Sequence, residues 1–251
     1  MKDIHTHILS GIDDGAHSFD ESIRLCSVAA DNRTSTIIAT PHLFSYNKIA
    51  EISQKRDALI TQLRAVLERG KIPLTVLGGF EVYCSESFRS VADLSRFTLN
   101  GSRYILLEFD FERTDIYEAV KNCDFVTSQG FVPVIAHPER YAFFIDDYDS
   151  FNCFASRNVL FQLNAGSFLG HYGHLERRLA YTLLSCGYCD FLATDAHSSV
   201  NRSANLLEMI CGIGDAVDFD EIKRLTDINP SHVIENKPVA FSRGKVIDPF
   251  S

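Results

Sequence analysis

The sequence predicts a parallel α/β fold in which seven strands form a closed or nearly closed ring wrapped by helices. Three observations lead to it. Short, almost uninterrupted apolar runs recur along the 251 residues, as strands buried on both faces require. Segments bearing helical start and stop signals lie between them. A histidine or carboxylate follows nearly every run, at the carboxyl ends of strands where βα loops converge. A doubly wound open sheet would gather such groups mainly at one switch point. Candidate ligands after six of the seven runs favour the ring.

The first strand lies around Ile4, in the stretch that carries His5 and His7. Ser18-Phe19-Asp20-Glu21 is a capping box that opens a helix reaching about Ala30, with Phe19, Ile23, Cys26 and Ala30 on one face. Thr36–Ala39 leads to His42. A long mixed-charge helix from Ile49 to Arg69 is closed by Gly70. Leu74–Leu77 leads to Glu81, and Tyr104–Leu107 runs into Glu108. A helix from Asp115 to Gln129 ends at Gly130, and Val132–Ala136 delivers His137. Leu160–Leu163 leads to Asn164, a helix spans His174 to Cys186, and Phe191–Thr194 delivers Asp195. From Asp220 the chain reads as helical to about Asn236. No linker, repeat or low-complexity stretch divides the chain, so residues 1–251 read as one domain.

Composition narrows the function classes. A net charge of -9 argues against nucleic acid or an anionic membrane as the main partner. Seven cysteines without framework spacing suit a reducing compartment. No hydrophobic signal region follows Met1, and no apolar run approaches membrane-spanning length, which predicts a cytoplasmic protein without membrane insertion.

Nine nitrogen and oxygen donors form the candidate metal site: His5, His7, Asp14, His42, Glu81, Glu108, His137, Asp195 and His197. The set contains no thiolate, which argues against a structural zinc cluster and suits Mn, Fe, Zn or Mg. Nine donors exceed the needs of one ion; with carboxylates as bridges they could hold two or three. Three dications against four carboxylates leave an excess of about two positive charges, which favours an anionic substrate such as a phosphate monoester. Arg140, in His137-Pro138-Glu139-Arg140, and Arg202 are candidates for gripping phosphate and stabilising charge in the transition state.

The ordered motifs Asp3-Ile4-His5-Thr6-His7, Gly11-Ile12-Asp13-Asp14-Gly15, Thr40-Pro41-His42, Gly79-Phe80-Glu81-Val82, Ala136-His137-Pro138-Glu139-Arg140-Tyr141 and Thr194-Asp195-Ala196-His197 resemble the polymerase-and-histidinol-phosphatase (PHP) superfamily. With Gln162–Ser167, they look most like its bacterial manganese-dependent protein-tyrosine phosphatases of capsule and exopolysaccharide synthesis. The resemblance runs from Asp3 to about Arg202. It implies a distorted (β/α)7 TIM-like barrel and three divalent ions, Mn²⁺ foremost. One ion would sit on His5, His7, Glu81 and Asp195, and a second on Asp14, His42 and His197. Glu81 would bridge to a third, bound by Glu108 and His137. It further implies attack by a metal-bridging hydroxide, with Arg140 and Arg202 on the phosphate, and a membrane-associated tyrosine autokinase as substrate. Ser10, Leu43 and Thr194 depart from the family's usual residues without removing a donor.

Other readings are weaker. A small-molecule phosphomonoesterase, such as one acting on histidinol phosphate, would need the same donors. A metal-dependent deacylase would often carry a carbamylated lysine where Glu108 stands, and a non-catalytic relative would have no need of every donor. Cys186-Gly187-Tyr188-Cys189 follows a helix C-terminus, the wrong end for a redox pair. No cysteine has arginine six positions later, which argues against cysteine-based phosphatase chemistry. Asp14 could instead serve only the turn Asp13-Asp14-Gly15. His17, His171, His174 and His232 read as structural or solvent-facing, with His171 placed to line the pocket.

Overall fold

The computed structural model describes residues 1–214, 217–241 and 243–244. The strands are β1 (Lys2–Thr6), β2 (Thr36–Ala39), β3 (His42–Leu43), β4 (Thr75–Gly78), β5 (Glu81–Tyr83), β6 (Tyr104–Glu108), β7 (Val132–Ala136), β8 (Leu160–Asn164) and β9 (Phe191–Ala193). Every ladder is parallel, in two sheets of order β1-β2-β4 and β3-β5-β6-β7-β8-β9. The seven expected strands are present in the expected order, but two of them are split. Pro41 separates β2 from β3, because it has no N–H to give a ladder. Gly79 separates β4 from β5; a Cβ there would lie 2.8 Å from Leu99 Cδ2 and 3.1 Å from Ile38 Cγ2, so only glycine passes. The first and last strands meet at their carboxyl ends. Asp195 N–H donates to the His5 carbonyl at 2.9 Å and His7 N–H to the Ala196 carbonyl at 2.8 Å.

One irregularity matters to the site. Asp3 pairs with Ile37 and Thr6 with Ala39, so β1 holds one residue more than β2 over that interval. Such a bulge breaks strict alternation. Ile4 packs in the interior cluster, yet its neighbour His5 also reaches inward, to Gln162.

The helices are α1 (Phe19–Asp31), α2 (Ile49–Arg69), α3 (Ile116–Ser128), α4 (Ala142–Ile145), α5 (His174–Ser185), α6 (Leu206–Ile213), α7 (Phe219–Lys223) and α8 (Asn229–Ile234), with a π turn at Arg224–Ile228 joining the last two. Ser18 Oγ accepts the Glu21 N–H at 3.1 Å, as a cap should. The Glu21 carboxylate does not complete a capping box; it accepts the Ser199 N–H at 2.6 Å and so anchors the loop that leads to Arg202. The fully buried line of α1 is Ser22, Leu25, Cys26 and Ala29, with Phe19, Ile23 and Ala30 only partly covered, which rotates the expected face. After α2 the left-handed residue is Lys71 (φ 54°), while Gly70 stays near helical at φ -77°. Asp115 caps α3, whose Glu118 N–H it accepts at 2.9 Å.

Ile4, Ile38, Leu106, Val134, Leu160 and Phe191 fill the interior, with Val233 of α8 and Val239 closing it. A second apolar layer lies between strands and helices, including Ile105, Leu107, Ile135, Ala119, Val126 and Leu183. No described helix is long and apolar enough to cross a membrane. All seven cysteines are free thiols, and burial pushes the Cys189 thiol well above its ordinary range.

Arg243 returns the chain to the fold. Its guanidinium bonds Asp190 Oδ2 at 2.5 Å and Oδ1 at 3.0 Å, the Val159 carbonyl at 2.9 Å, and the Gly187 carbonyl. Both charged side chains are 1% exposed. Arg243→Ala leaves Asp190 buried and uncompensated, with an expected loss of about 3–5 kcal/mol read as a lower urea midpoint. An unchanged midpoint would show that this contact does not form in solution.

Candidate metal centre

The strand ends bring all nine predicted donors to one mouth. His5 and His7 lie at the end of β1, His42 and Glu81 begin β3 and β5, and Glu108 ends β6. His137, Asp195 and His197 follow β7 and β9, and Asp14 comes from the loop after β1. Glu81 sits at the centre. Its Oε2 lies 3.1 Å from His5 Nε2, 3.2 Å from His7 Nε2 and 3.0 Å from His42 Nδ1, while Oε1 is 2.9 Å from His137 Nε2. Asp195 Oδ1 is 3.5 Å from both His5 Nε2 and His7 Nε2. Glu108 Oε2 faces His42 Nδ1 at 3.2 Å, and Asp14 Oδ1 faces His42 Nε2 at 3.4 Å and His197 Nε2 at 3.6 Å.

This spacing suits cations better than hydrogen bonds. His5 Nε2 and His7 Nε2 stand 3.2 Å apart, two ring nitrogens aimed at one place. Glu81 Oε2, His42 Nδ1 and His137 Nδ1 are buried without a hydrogen-bond partner, although buried polar atoms are almost always paired. The donors fall into tight groups: His7, Asp14, His42 and His197; His5, His7 and Glu81; His5, His137 and Asp195; and His42, Glu81 and Glu108. Relative to the expected partition, His7 also reaches the Asp14 group, and His42 faces Asp14 with one nitrogen and Glu108 with the other. With eight other donors packed near Glu81, neighbouring groups share side chains.

Electrostatics follow from burial and proximity. Burial opposes protonation of His42, but Glu108 and Glu81 outweigh it and push the imidazole up to about 11. His7 is likewise raised to about 9 against its burial, by Asp13 and Glu81. Burial and then the His7 charge lower His197 to about 4. Burial would raise Asp195 and Glu81, but the surrounding cations, His5 foremost, hold both below the usual carboxylate range. The carboxylates thus favour positive charge at the centre of the cluster.

Surrounding groups orient the donors. Gln162 Oε1 holds His5 Nδ1 at 2.6 Å, and Asn164 joins Gln162 at 2.9 Å to Asp195 Oδ2 at 2.8 Å. Asp13 takes the turn role that Asp14 could have served: it accepts the Gly15 N–H at 3.0 Å and the His42 N–H at 3.1 Å, and binds His7 Nδ1 at 2.7 Å. Asp14 is thereby free to face the cluster, with its side chain 68% exposed. Two donors occupy left-handed backbone, His137 at φ 31° and Asp195 at φ 52°, a strain that non-glycine residues carry mainly where surrounding structure demands it.

Both predicted arginines reach the same carboxylate, Asp195 Oδ2: Arg202 at 2.5 Å and Arg140 at 3.5 Å. The Arg140 guanidinium lies 4.5 Å from the ring centres of both Phe111 and Tyr172. Contact with the two rings holds it in position, while only Nη1 meets Asp195.

The sequence matches the family described as capsular polysaccharide synthesis, CpsB/CapC, over residues 1–235. The chain belongs to this family. Among CpsB/CapC relatives, YwqE of Bacillus subtilis, a tyrosine-protein phosphatase, is 32% identical over 214 residues, covering 84% of this chain and 82% of its own. CapC of Staphylococcus aureus, a putative tyrosine-protein phosphatase, is 30% identical over 210 residues, with 83% and 82% covered. A solved structure from work on YwqE and on CpsB from Streptococcus pneumoniae, described as metal-dependent tyrosine phosphatases, superposes with a TM-score of 0.86. It is 28% identical and covers 99% of this chain and 100% of the other. A phosphotriesterase homology protein of Escherichia coli shares the fold alone, at TM-score 0.57 and 8% identity.

Sequence reasoning missed several groups in this CpsB/CapC chain. Asp13 was legible only as a turn residue, and Phe111 and Tyr172 carried no motif. Glu139 is fully buried, accepting the Asn164 N–H at 3.0 Å and the Ser167 hydroxyl at 2.6 Å, so it pins the end of β8. Of the other histidines, His17, His171 and His174 are exposed and His232 is half-buried; His171 Nδ1 lies against Gly166.

Proposed function

We propose that this chain is a metal-dependent phosphoric monoester hydrolase that removes phosphate from phosphotyrosine in a protein of capsule or exopolysaccharide assembly, a bacterial tyrosine autokinase being the expected partner. The observation that carries the reading is the place of Glu81, whose carboxylate faces four imidazoles while one buried oxygen keeps no hydrogen bond. Its similarity to named tyrosine phosphatases supplies the leaving group.

In this reading His5, His7, Glu81 and Asp195 would hold one cation, Asp14, His42 and His197 a second, and Glu81, Glu108 and His137 a third, with Mn²⁺ the expected ion. Such ions lower the pKa of water and offset phosphate charge. The chain's own residues do the rest. Asp13 and Gln162 fix the tautomers of His7 and His5, leaving each Nε2 lone pair toward the cluster. Arg140 and Arg202 present guanidinium donors beside Asp195, where an incoming phosphate would exchange places as their partner. Their charge stabilises the equatorial oxygens as the ester bond lengthens.

With Mn²⁺ supplied, kcat/KM on a phosphotyrosine peptide should exceed that on histidinol phosphate. Equal or better turnover of histidinol phosphate would remove the tyrosine-phosphatase reading.

A further inference from the structure

A cavity of about 480 Å³ opens beside two of the candidate ligands, His42 and Glu108, and is walled by Phe44, Tyr83, Phe109 and Phe111. Phe44 is 58% exposed at its edge. Its ring lies 5.1 Å from that of His42 and 5.4 Å from that of Tyr83, whose hydroxyl reaches Asp110 at 3.3 Å. Phe111 joins this cavity to the phosphate grip. Its ring is 5.5 Å from His137 and carries the Arg140 guanidinium at 4.5 Å.

We infer that this cavity seats the aromatic ring of the substrate, and that Phe44 is a specificity-determining residue that selects aryl over alkyl phosphate esters. The donor cluster reads only phosphate, so discrimination must come from what adjoins it. In an aryl phosphate the ring begins one ester oxygen from phosphorus. A phosphate held by Arg140 therefore places that ring against a surface touching both Arg140 and the cluster, which Phe111 and the cavity beside it provide. A ring entering there covers the exposed Phe44 and meets Tyr83 in offset or edge contacts. A phosphoserine brings one methylene and no π-face, so it gains little. Isolated exposed apolar side chains are ordinary on protein surfaces; Phe44 differs because its neighbours are a tyrosine and two candidate ligands around one cavity.

The inference rests on the phosphotyrosine reading, and the test separates the two. The Mn²⁺-loaded full chain is compared as wild type, Phe44→Ala and Phe44→Tyr, on phosphotyrosine and phosphoserine peptides of one sequence, with metal content measured for each. Phe44→Ala should lower kcat/KM on the phosphotyrosine peptide about tenfold, mainly through KM, and change the phosphoserine peptide less than about twofold. Phe44→Tyr should restore the preference, and metal content should stay constant. Competition should follow the same rule, with phenylphosphonate losing affinity in Phe44→Ala and methylphosphonate retaining it. Equal loss on both peptides, or no loss on either, overturns the aryl seat while leaving the phosphatase reading intact. A wild type that hydrolyses no phosphotyrosine overturns both.

Discussion

Glu81→Gln is expected to lower phosphotyrosine turnover by at least about a thousandfold, because several kcal/mol of metal-derived charge stabilisation would go with it. The Glu81 carboxylate lies within 3.2 Å of four imidazoles, those of His5, His7, His42 and His137, whereas Asp195 meets His5, His7 and His197 at 3.5 Å. The amide keeps the shape and one acceptor oxygen, so folding is preserved, but it loses the charge with which the proposed arrangement would have one side chain serve two cations. Elemental analysis should find fewer bound ions per chain, with an unchanged far-ultraviolet circular dichroism spectrum. Full activity with a full metal complement would remove Glu81 from the centre and take the three-ion arrangement with it.

Chelation should abolish activity and Mn²⁺ should restore it, with an affinity that falls in acid. The sign follows from the histidines. In the metal-free chain the carboxylates hold His7 near 9 and His42 near 11, so at neutral pH both rings carry a proton. A cation must displace those protons, whereas His197, held near 4, is already neutral. Metal loading in weak buffer should therefore release protons. The apparent Kd should rise about tenfold per pH unit of acidification for each proton displaced. Proton release is measured by a pH indicator during titration and affinity by competition with a chelator of known strength. Activity that survives excess chelator, with no metal found in the protein, would contradict the whole arrangement.

Much of the site was legible because strand ends announce themselves locally. The run Tyr104–Leu107 reads as a buried strand, and its next residue, Glu108, falls at the mouth. The same logic placed His137 after β7 and Asp195 after β9. Orientation was not legible. His5 faces inward because a bulge in β1 breaks strict alternation, and a bulge shows only when β2 lies alongside. The division of labour between Asp13 and Asp14 was hidden too, since adjacent aspartates are equivalent until His7 and His42 arrive from other strands.

Sequence by itself determined the alternation of strands and helices, the cap at Ser18, and the choice of candidate donors. These depend on residues within about a turn of one another, or on apolar runs long enough to be buried. Tertiary structure alone decided that Glu81 stands at the centre, that Phe111 and Tyr172 clasp Arg140, and that Phe44 packs beside Tyr83 at the wall of a cavity. Those relations join residues far apart in the chain, and only the register of parallel strands brings their ends together.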